Sequence, residues 1–173
     1  MDRLISIDDL GKFLYCSNLL EEKVAKAYEH IAKSIGDRIV SHLLVFIAHD
    51  SFKHAECFKM IGKWLNLSFE AGDCGKVWGE AWKIITVDAE KFMNRREISS
   101  EELIQLIDRL MNLENFAAEE YLTILHARLI KSIAEEKKVD LGHFKLFLEW
   151  IVEDEKKHTQ ILEIIKDLLS KEK

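Results

Sequence analysis

One stretch of the chain carries most of the information about its fold. Residues 148–162 read LEWIVEDEKKHTQIL, and within them Glu155 and His158 occupy a stripe whose other members are apolar. Apolar residues that recur every three or four positions indicate an amphipathic helix with that face towards the core. The full stripe is Phe144, Leu148, Ile151, Glu155, His158, Leu162, Ile165 and Leu169. The pattern predicts a long helix from about Asp140 to Ser170 with a buried polar pair at its middle.

The same stripe occurs 104 residues earlier in the chain. There, over about Arg38 to Leu65, it consists of Val40, Leu44, Ile47, Ser51, His54, Phe58, Ile61 and Leu65. The local sequences also agree, Asp50-Ser51-Phe52-Lys53-His54 against Asp154-Glu155-Lys156-Lys157-His158. Two other apolar-periodic segments, about 6–35 and 99–135, each carry a glutamate followed seven residues later by a tyrosine: Glu21 and Tyr28, and Glu114 and Tyr121. We interpret the pattern as an internal repeat of a helical hairpin.

Capping signals delimit the four predicted helices. The N-terminal signals are Ser6 with Asp9, Asp37, and Ser99 with Glu102, and the stop signals are Gly36 and Asn66. Short connections predict antiparallel hairpins over about 6–66 and 99–170. The crossover between them, 67–98, is long enough to run the length of a bundle, and its apolar-periodic part from Val77 to Met93 predicts a shorter helix. We therefore expect one all-α domain over residues 1–173, a four-helix bundle with the ferritin-like connectivity.

The composition agrees with long helices and disfavours several other classes of protein. The chain has 173 residues, no proline, 48% hydrophobic residues and 32% charged residues. Its longest apolar run, Leu43 to Ala48, is too short to span a bilayer. A net charge of −6 is a poor footprint for nucleic-acid binding. No secretory signal is visible, so we expect a soluble cytoplasmic protein without membrane or nucleic-acid partners.

The three cysteines are Cys16, Cys57 and Cys74. They form no Cys-x-x-Cys pair, which excludes a rubredoxin-type or structural zinc site. An odd number without a signal peptide predicts reduced thiols. Cys16 and Cys57 are expected to be small core residues.

The polar residues on the four stripes should lie in a dry core. They are Glu21, His54, Glu114, Glu155 and His158. A buried carboxylate without a partner is costly, and no lysine or arginine lies on these stripes near them. A bound cation is the simplest compensation, and oxygen and imidazole ligands without thiolate suit iron(II), manganese or zinc. The alternative is a hydrogen-bonded polar network without metal.

Several other polar and aromatic residues fit structural roles better than chemical ones. Tyr28 and Tyr121 point inward two turns from a glutamate, where each could hydrogen-bond a ligating carboxylate or simply pack. His42 and His49 share a face with Lys53 and Glu56, which favours a solvated or inter-subunit surface. The remaining candidates are surface charges, Glu22, Glu119 and Glu120, and two aromatic residues that would cap the bundle or fill a subunit contact, Trp78 and Trp82.

In these residues the chain resembles the rubrerythrin and ferritin-like di-iron carboxylate family. The family pattern is Glu-x6-Tyr, Glu-x-x-His, Glu-x6-Tyr and Glu-x-x-His on four successive helices, and the resemblance covers about residues 8–66 and 99–170. It implies that Glu21 and His54 are terminal ligands of one metal. It implies equally that Glu114 and His158 are terminal ligands of the other, with Glu155 as the bridge.

The resemblance also implies an activity. Members of the family oxidise iron(II) with dioxygen or peroxide at a paired metal centre, so the expected function is a ferroxidase- or peroxidase-type oxidoreductase with iron as the first choice of metal. Tyr28 and Tyr121 are the candidate catalytic residues. An external electron carrier would be needed because rubredoxin cysteines are absent, and a homo-oligomer is expected, with a dimer favoured. Alternatives are a non-enzymatic carrier or sensor holding one ion through Glu114, Glu155 and His158, and a structural bundle with a degenerate site.

The chain departs from the family pattern at Ser51. The second bridging glutamate should stand there, and a serine hydroxyl is too short and too weak a ligand to replace it. Asp50 is adjacent but about 100° away around an ideal helix, so that only a π-bulge would turn it inward. Three carboxylates would leave two divalent ions with a net positive charge and under-coordinated. Water or hydroxide could fill the gap, or one of the two metals could be weak or absent.

Overall fold

Four long helices dominate the part of the chain that the computed structural model describes, residues 7–67, 72–94, 98–126 and 142–171. In chain order the α-helices are α1 (Ile7–Lys33), α2 (Arg38–Trp64), α3 (Cys74–Trp78), α4 (Glu80–Lys83), α5 (Ala89–Met93), α6 (Ser100–His126) and α7 (Gly142–Lys171). No strand occurs within the described ranges. The prediction of an all-α protein is confirmed.

The long helices pair in an antiparallel manner. Only residues 34–37 join α1 to α2, which pack along each other. Between α6 and α7, Asp108 contacts Lys166 at 2.6 Å and Glu114 contacts His158 at 3.2 Å. Residue numbers thus increase along α6 in the direction in which they decrease along α7. The two helices are therefore antiparallel. The predicted continuation of the third helix to Glu135 and the predicted start of the fourth at Asp140 lie outside the described residues.

The predicted stripes form the core. Every stripe residue of α2 from Val40 to Leu65 and of α7 from Phe144 to Leu169 is buried. The stripes of α1 and α6 contribute further buried residues, among them Leu14, Val24, Ile107 and Leu110. Because each helix turns its apolar face inward, the polar residues on those faces are carried into the centre of the molecule.

Most local signals at the helix ends act as the sequence predicts. Gly36 is an exception, because α1 already ends at Lys33 and Gly36 does not adopt a positive φ. The carboxylate of Asp37 accepts hydrogen bonds from the backbone N–H of Ile39 and Val40 at 2.7 and 2.9 Å. At the start of α6, Ser99 Oγ accepts from the N–H of Glu102, whose side chain accepts in turn from the N–H of Ser99. This reciprocal pair is the predicted capping box. Asn66 ends α2 in the left-handed region, at φ 51°. Ser6 lies outside the described residues.

The crossover is more broken than the single short helix predicted for Val77 to Met93. It forms α3, α4, a π-helical segment at Ile84–Asp88, and α5. Gly79 separates α3 from α4 at φ 54°, a conformation that glycine adopts without steric cost. The segment packs against α1 and α6, and Asp88 forms an ion pair with Arg109 of α6 at 2.6 Å.

The prediction of three reduced cysteines is wrong. Cys16 of α1 and Cys74 of α3 form a disulfide, with their Cα atoms 5.2 Å apart. Their separation of 58 residues in the chain hid this proximity, which arises because the crossover returns along α1. Cys57 is free and partly buried. The disulfide ties the start of the crossover to the first helix.

Trp78 lies in the core and not at a subunit contact or at the end of the bundle. It is fully buried, stacks on Phe13 with ring centroids 5.5 Å apart, and meets the ring of Tyr121 edge-on at the same distance. Trp82 is partly exposed, with the ammonium of Lys23 5.8 Å above its ring. Among the described residues, no helix combines the length and the apolar character needed to cross a membrane.

Candidate metal centre

The five predicted ligand residues meet at one place in the core. Each is at most 3% exposed. They form two groups that share one member, and within each group the potential ligand atoms lie within 4.8 Å of one another. One group is Glu21, His54 and Glu155, and the other is Glu114, Glu155 and His158. Glu155 therefore lies between the two groups, as the resemblance implied for a bridge.

Both imidazoles turn the same ring nitrogen towards the carboxylates. Nδ1 of His54 is 3.0 Å from Glu155 Oε1 and 3.8 Å from Glu21 Oε2. Nδ1 of His158 is 3.2 Å from Glu114 Oε2 and 3.7 Å from Glu155 Oε2. The two rings lie nearly parallel, with centroids 5.7 Å apart. The arrangement is approximately two-fold, as expected from the repeat.

Two aspartates hold the opposite sides of the imidazoles. Nε2 of His54 lies 3.2 Å from Asp154 of α7, and Nε2 of His158 lies 3.4 Å from Asp50 of α2. Each histidine thus contacts an aspartate from the other helix. A carboxylate on the far nitrogen fixes the orientation and tautomer of a metal-binding histidine. Asp50 acts from outside the centre and does not take the place of the missing glutamate.

A lysine joins the two aspartates. Lys53 Nζ lies 2.8 Å from Asp50 Oδ1 and 2.8 Å from Asp154 Oδ2, and Lys157 contacts Asp154 at 3.1 Å. The side chain of Lys53 is 54% exposed, so these ion pairs form the solvent side of the centre. They neutralise the two outer carboxylates and leave the inner ones to be balanced separately.

The two tyrosines support carboxylates across the bundle. Tyr28 Oη donates to Glu114 Oε1 at 2.5 Å, and Tyr121 Oη donates to Glu21 Oε1 at 2.5 Å. Each therefore contacts the glutamate of the other hairpin. Burial first, and then the nearby carboxylates, raise the pKa of both phenols well above the usual value. Both tyrosines are neutral donors at ordinary pH.

The protein balances its buried charges with protons when no cation is bound. Burial alone would lower the pKa of His158, but contacts with Asp50, Glu114 and Glu155 outweigh it and raise the value to about 12. Carboxylate contacts likewise raise the pKa of His54, against the effect of burial. Burial and the charge of Glu155 raise the pKa of Glu114 to about 8.

The pKa of Glu155 moves the other way. Burial and the charge of Glu21 would raise it, but a hydrogen bond from Glu114 and contacts with both imidazoles lower it. The pKa values of Asp50 and Asp154 are lowered chiefly by their contacts with His158 and His54. The contacts with carboxylates thus favour the protonated form of both histidines.

The donor set fits divalent metal ions. His54 Nδ1 and Glu155 Oε1 are buried and lack an aligned hydrogen bond although they lie 3.0 Å apart. Together with Glu21, these residues bring their ligand atoms within 4.8 Å of one another, close enough to hold one ion. Three carboxylates and two imidazoles, without thiolate, suit iron(II), manganese or zinc.

Sequence reasoning missed the roles of Asp154 and Lys53 and considered Asp50 only as a replacement for the missing glutamate. The signal was present, because an aspartate stands four residues before each histidine in both halves of the repeat. Both aspartates lie off the apolar stripes, which is why a search for inward-facing residues passes over them. His42 and His49 are exposed, as is Glu119, while Glu22 and Glu120 are partly exposed. None of these five belongs to the two ligand groups.

Comparison of the chain with protein-family models, curated proteins and solved structures finds no match.

Proposed function

We propose that the protein is a ferritin-like, non-haem metal protein that binds two divalent ions, iron in the first place, and oxidises iron(II) with dioxygen or peroxide. The observation that carries the proposal is the position of Glu155, whose carboxylate belongs to both ligand groups. A buried carboxylate common to two three-residue sets is an arrangement that suits a pair of ions. The helix connectivity and the order of the five residues support the resemblance to the rubrerythrin and ferritin-like family.

The roles of the side chains follow from their contacts. Glu21 and His54 would hold one ion, and Glu114 and His158 the other. Asp154 and Asp50 orient the imidazoles, while the phenols of Tyr121 and Tyr28 orient the terminal carboxylates. Bound iron would supply the one-electron steps with the oxidant. The buried apolar core excludes water, so charges at the centre interact strongly.

The proposal is tested by metal analysis followed by oxygen uptake. Protein purified without chelator should contain two equivalents of metal after loading with iron(II), and dioxygen consumption should follow iron addition. Glu155→Ala should abolish both results. Glu153→Ala, an exposed change on the same helix, is the matched control and should leave both unchanged. A wild-type chain that binds no divalent ion would overturn the proposal.

A non-enzymatic carrier or sensor of one ion is the second candidate. The observation that favours it is Ser51, which leaves the centre with three carboxylates. Its ligands would be Glu114, Glu155 and His158. One equivalent of tightly bound metal, without dioxygen consumption on adding iron(II), would establish this function in place of the first.

A further inference from the structure

Ser51 has an unusual environment for a helical serine. It is fully buried, and its hydroxyl has no hydrogen-bond partner among the described residues. A serine inside a helix commonly donates to the carbonyl four residues earlier, as Ser17 does to Phe13 and Ser34 to His30. The hydroxyl of Ser51 makes no such bond. A donor that is kept dry and unpaired is unfavourable unless another group satisfies it.

The position of Ser51 places that donor at the metal centre. Ser51 precedes His54 by one helical turn, as Glu155 precedes His158. The flanking residues already bind across the two helices, Asp50 to His158 and His54 to Asp154. Ser51 therefore occupies the α2 side of the centre, opposite Glu155. Two further buried atoms face each other there, His54 Nδ1 and Glu155 Oε1, which lie 3.0 Å apart.

With two divalent ions bound, the centre would lack one negative charge. Two divalent ions would bring four positive charges, and the three buried glutamates remove three of them. The outer pairs contribute nothing further, since Asp50 and Asp154 are balanced by Lys53 and Lys157. An unbalanced charge in a poorly solvated place is costly. A monoanion would restore neutrality.

We propose that a small carboxylate anion from solution, of the size of formate or acetate, binds beside Ser51 and serves as the fourth carboxylate of the centre. This inference rests on the proposed binding of two ions. A serine side chain ends at its γ atom, where a glutamate continues to its carboxylate, so the missing part is a carboxylate group, which a small anion carries. The anion would present the same donor atoms as Glu155 from the opposite side. The hydroxyl of Ser51 would donate to one of its oxygens.

Cobalt(II) titration tests the proposal, because the ion has a visible spectrum that reports its ligands. The wild-type chain is titrated by calorimetry and absorption in a buffer with the weakly coordinating anion perchlorate, with and without acetate. Acetate should change the spectrum saturably and strengthen binding of the second ion by about tenfold or more. Ser51→Glu should bind the second ion tightly without acetate and should show no response to it.

Two further variants separate the role of the Ser51 hydroxyl as a donor from the role of the small size of the side chain. Ser51→Ala keeps the space but loses the donor, so acetate should still act, with an affinity about tenfold weaker. Ser17→Ala is the matched control, since Ser17 is equally buried but bonds its own helix; it should behave as the wild type. Should Ser51→Glu fail to fold, the comparison of Ser51→Ala with Ser17→Ala decides the role of Ser51 alone.

The unfavourable outcomes are distinct. Two cobalt ions bound with equal affinity and spectrum in the presence and absence of acetate would overturn the inference and leave the proposed function intact. An acetate effect unchanged in Ser51→Ala would show that the anion binds elsewhere and would also overturn it. No cobalt binding under either condition would remove the proposed function and the inference together.

Discussion

At the scale of single residues, substitution of Glu155 should have the largest effect on metal binding. Its carboxylate belongs to both ligand groups, whereas Glu21 belongs to one. We expect Glu155→Ala to remove measurable binding of both ions, and Glu21→Ala to weaken chiefly the ion on the His54 side. Calorimetry with zinc(II) measures both affinities, and Glu153→Ala serves as control. Equally mild effects of the two substitutions would contradict the bridging role.

The tyrosines give a second prediction at this scale. Tyr121→Phe removes the only protein donor that contacts Glu21 Oε1 among the hydrogen bonds of the described residues. A buried carboxylate that loses such a partner costs about 1–3 kcal/mol. Chemical denaturation of the metal-free chain should show a loss of that order, with Tyr28→Phe giving a similar loss at Glu114. Unchanged stability in both variants would contradict the observed contacts.

The pKa values of the inner residues predict how the metal-free protein responds to pH. His54 and His158 have raised pKa values when folded, so their stabilisation is complete below about pH 6.5 and is lost as the pH rises towards the folded values. Glu114 acts in the same direction. Its pKa is raised to about 8 in the folded state, so the folded state resists its ionisation and loses stability as the pH rises from the ordinary glutamate range towards 8. The melting temperature of the metal-free chain should therefore fall between pH 6.5 and pH 8.5.

Metal should change that trend, since ligands bind ions in their deprotonated forms. With saturating zinc(II), the fall of the melting temperature over the same pH range should become smaller or reverse. The measurement is a thermal scan at fixed ionic strength with chelator or zinc. A metal-free melting temperature that rises from pH 6.5 to pH 8.5 would contradict the protonated state of the two histidines.

At the scale of helices, the aspartates couple α2 to α7. Each orients the imidazole carried by the other helix. Loss of such a contact commonly lowers metal affinity 10- to 100-fold. We expect losses of about that size for Asp50→Asn and Asp154→Asn, measured by competition with a chelating dye. Asp167→Asn, exposed on α7, is the control. Wild-type affinity in both variants would mean that the aspartates serve only the ion pairs with lysine.

The helices show how far sequence reasoning reaches. The spacing of the apolar residues predicts the four long helices, because burial of a stripe depends on local spacing alone. The match of Ser51 and His54 to Glu155 and His158 in the repeat predicts where along the bundle the buried polar residues lie. The caps at Asp37 and Ser99 follow from local chemistry in the same way. Asp50 and Asp154 escape such reasoning, since their contacts depend on how two helices face each other. Gly79 separates α3 from α4 by adopting a positive φ, which the spacing of apolar residues does not predict.

At the scale of the whole molecule, the Cys16–Cys74 disulfide joins α1 to the crossover. No feature of the cysteine spacing could predict it, since the pairing depends on the packing of α3 against α1. Closing a loop of this length stabilises a fold by roughly 2–4 kcal/mol. The double variant Cys16→Ala/Cys74→Ala should lose about that much in denaturant unfolding, and Cys57→Ala considerably less. Free thiols at positions 16 and 74 by alkylation and mass spectrometry, under non-reducing conditions, would contradict the pairing.

The near two-fold symmetry of the centre has a consequence for how such a site can arise. Two identical hairpins, associating as separate copies, would have to carry the same residue at both bridging positions. A single chain in which the hairpin is duplicated is free of that restriction, because each copy accumulates its own substitutions. This chain has used that freedom at one position, with Glu155 in one half and Ser51 in the other. A site built from two covalently joined halves can therefore be asymmetric, with its two sides offering different groups to a ligand.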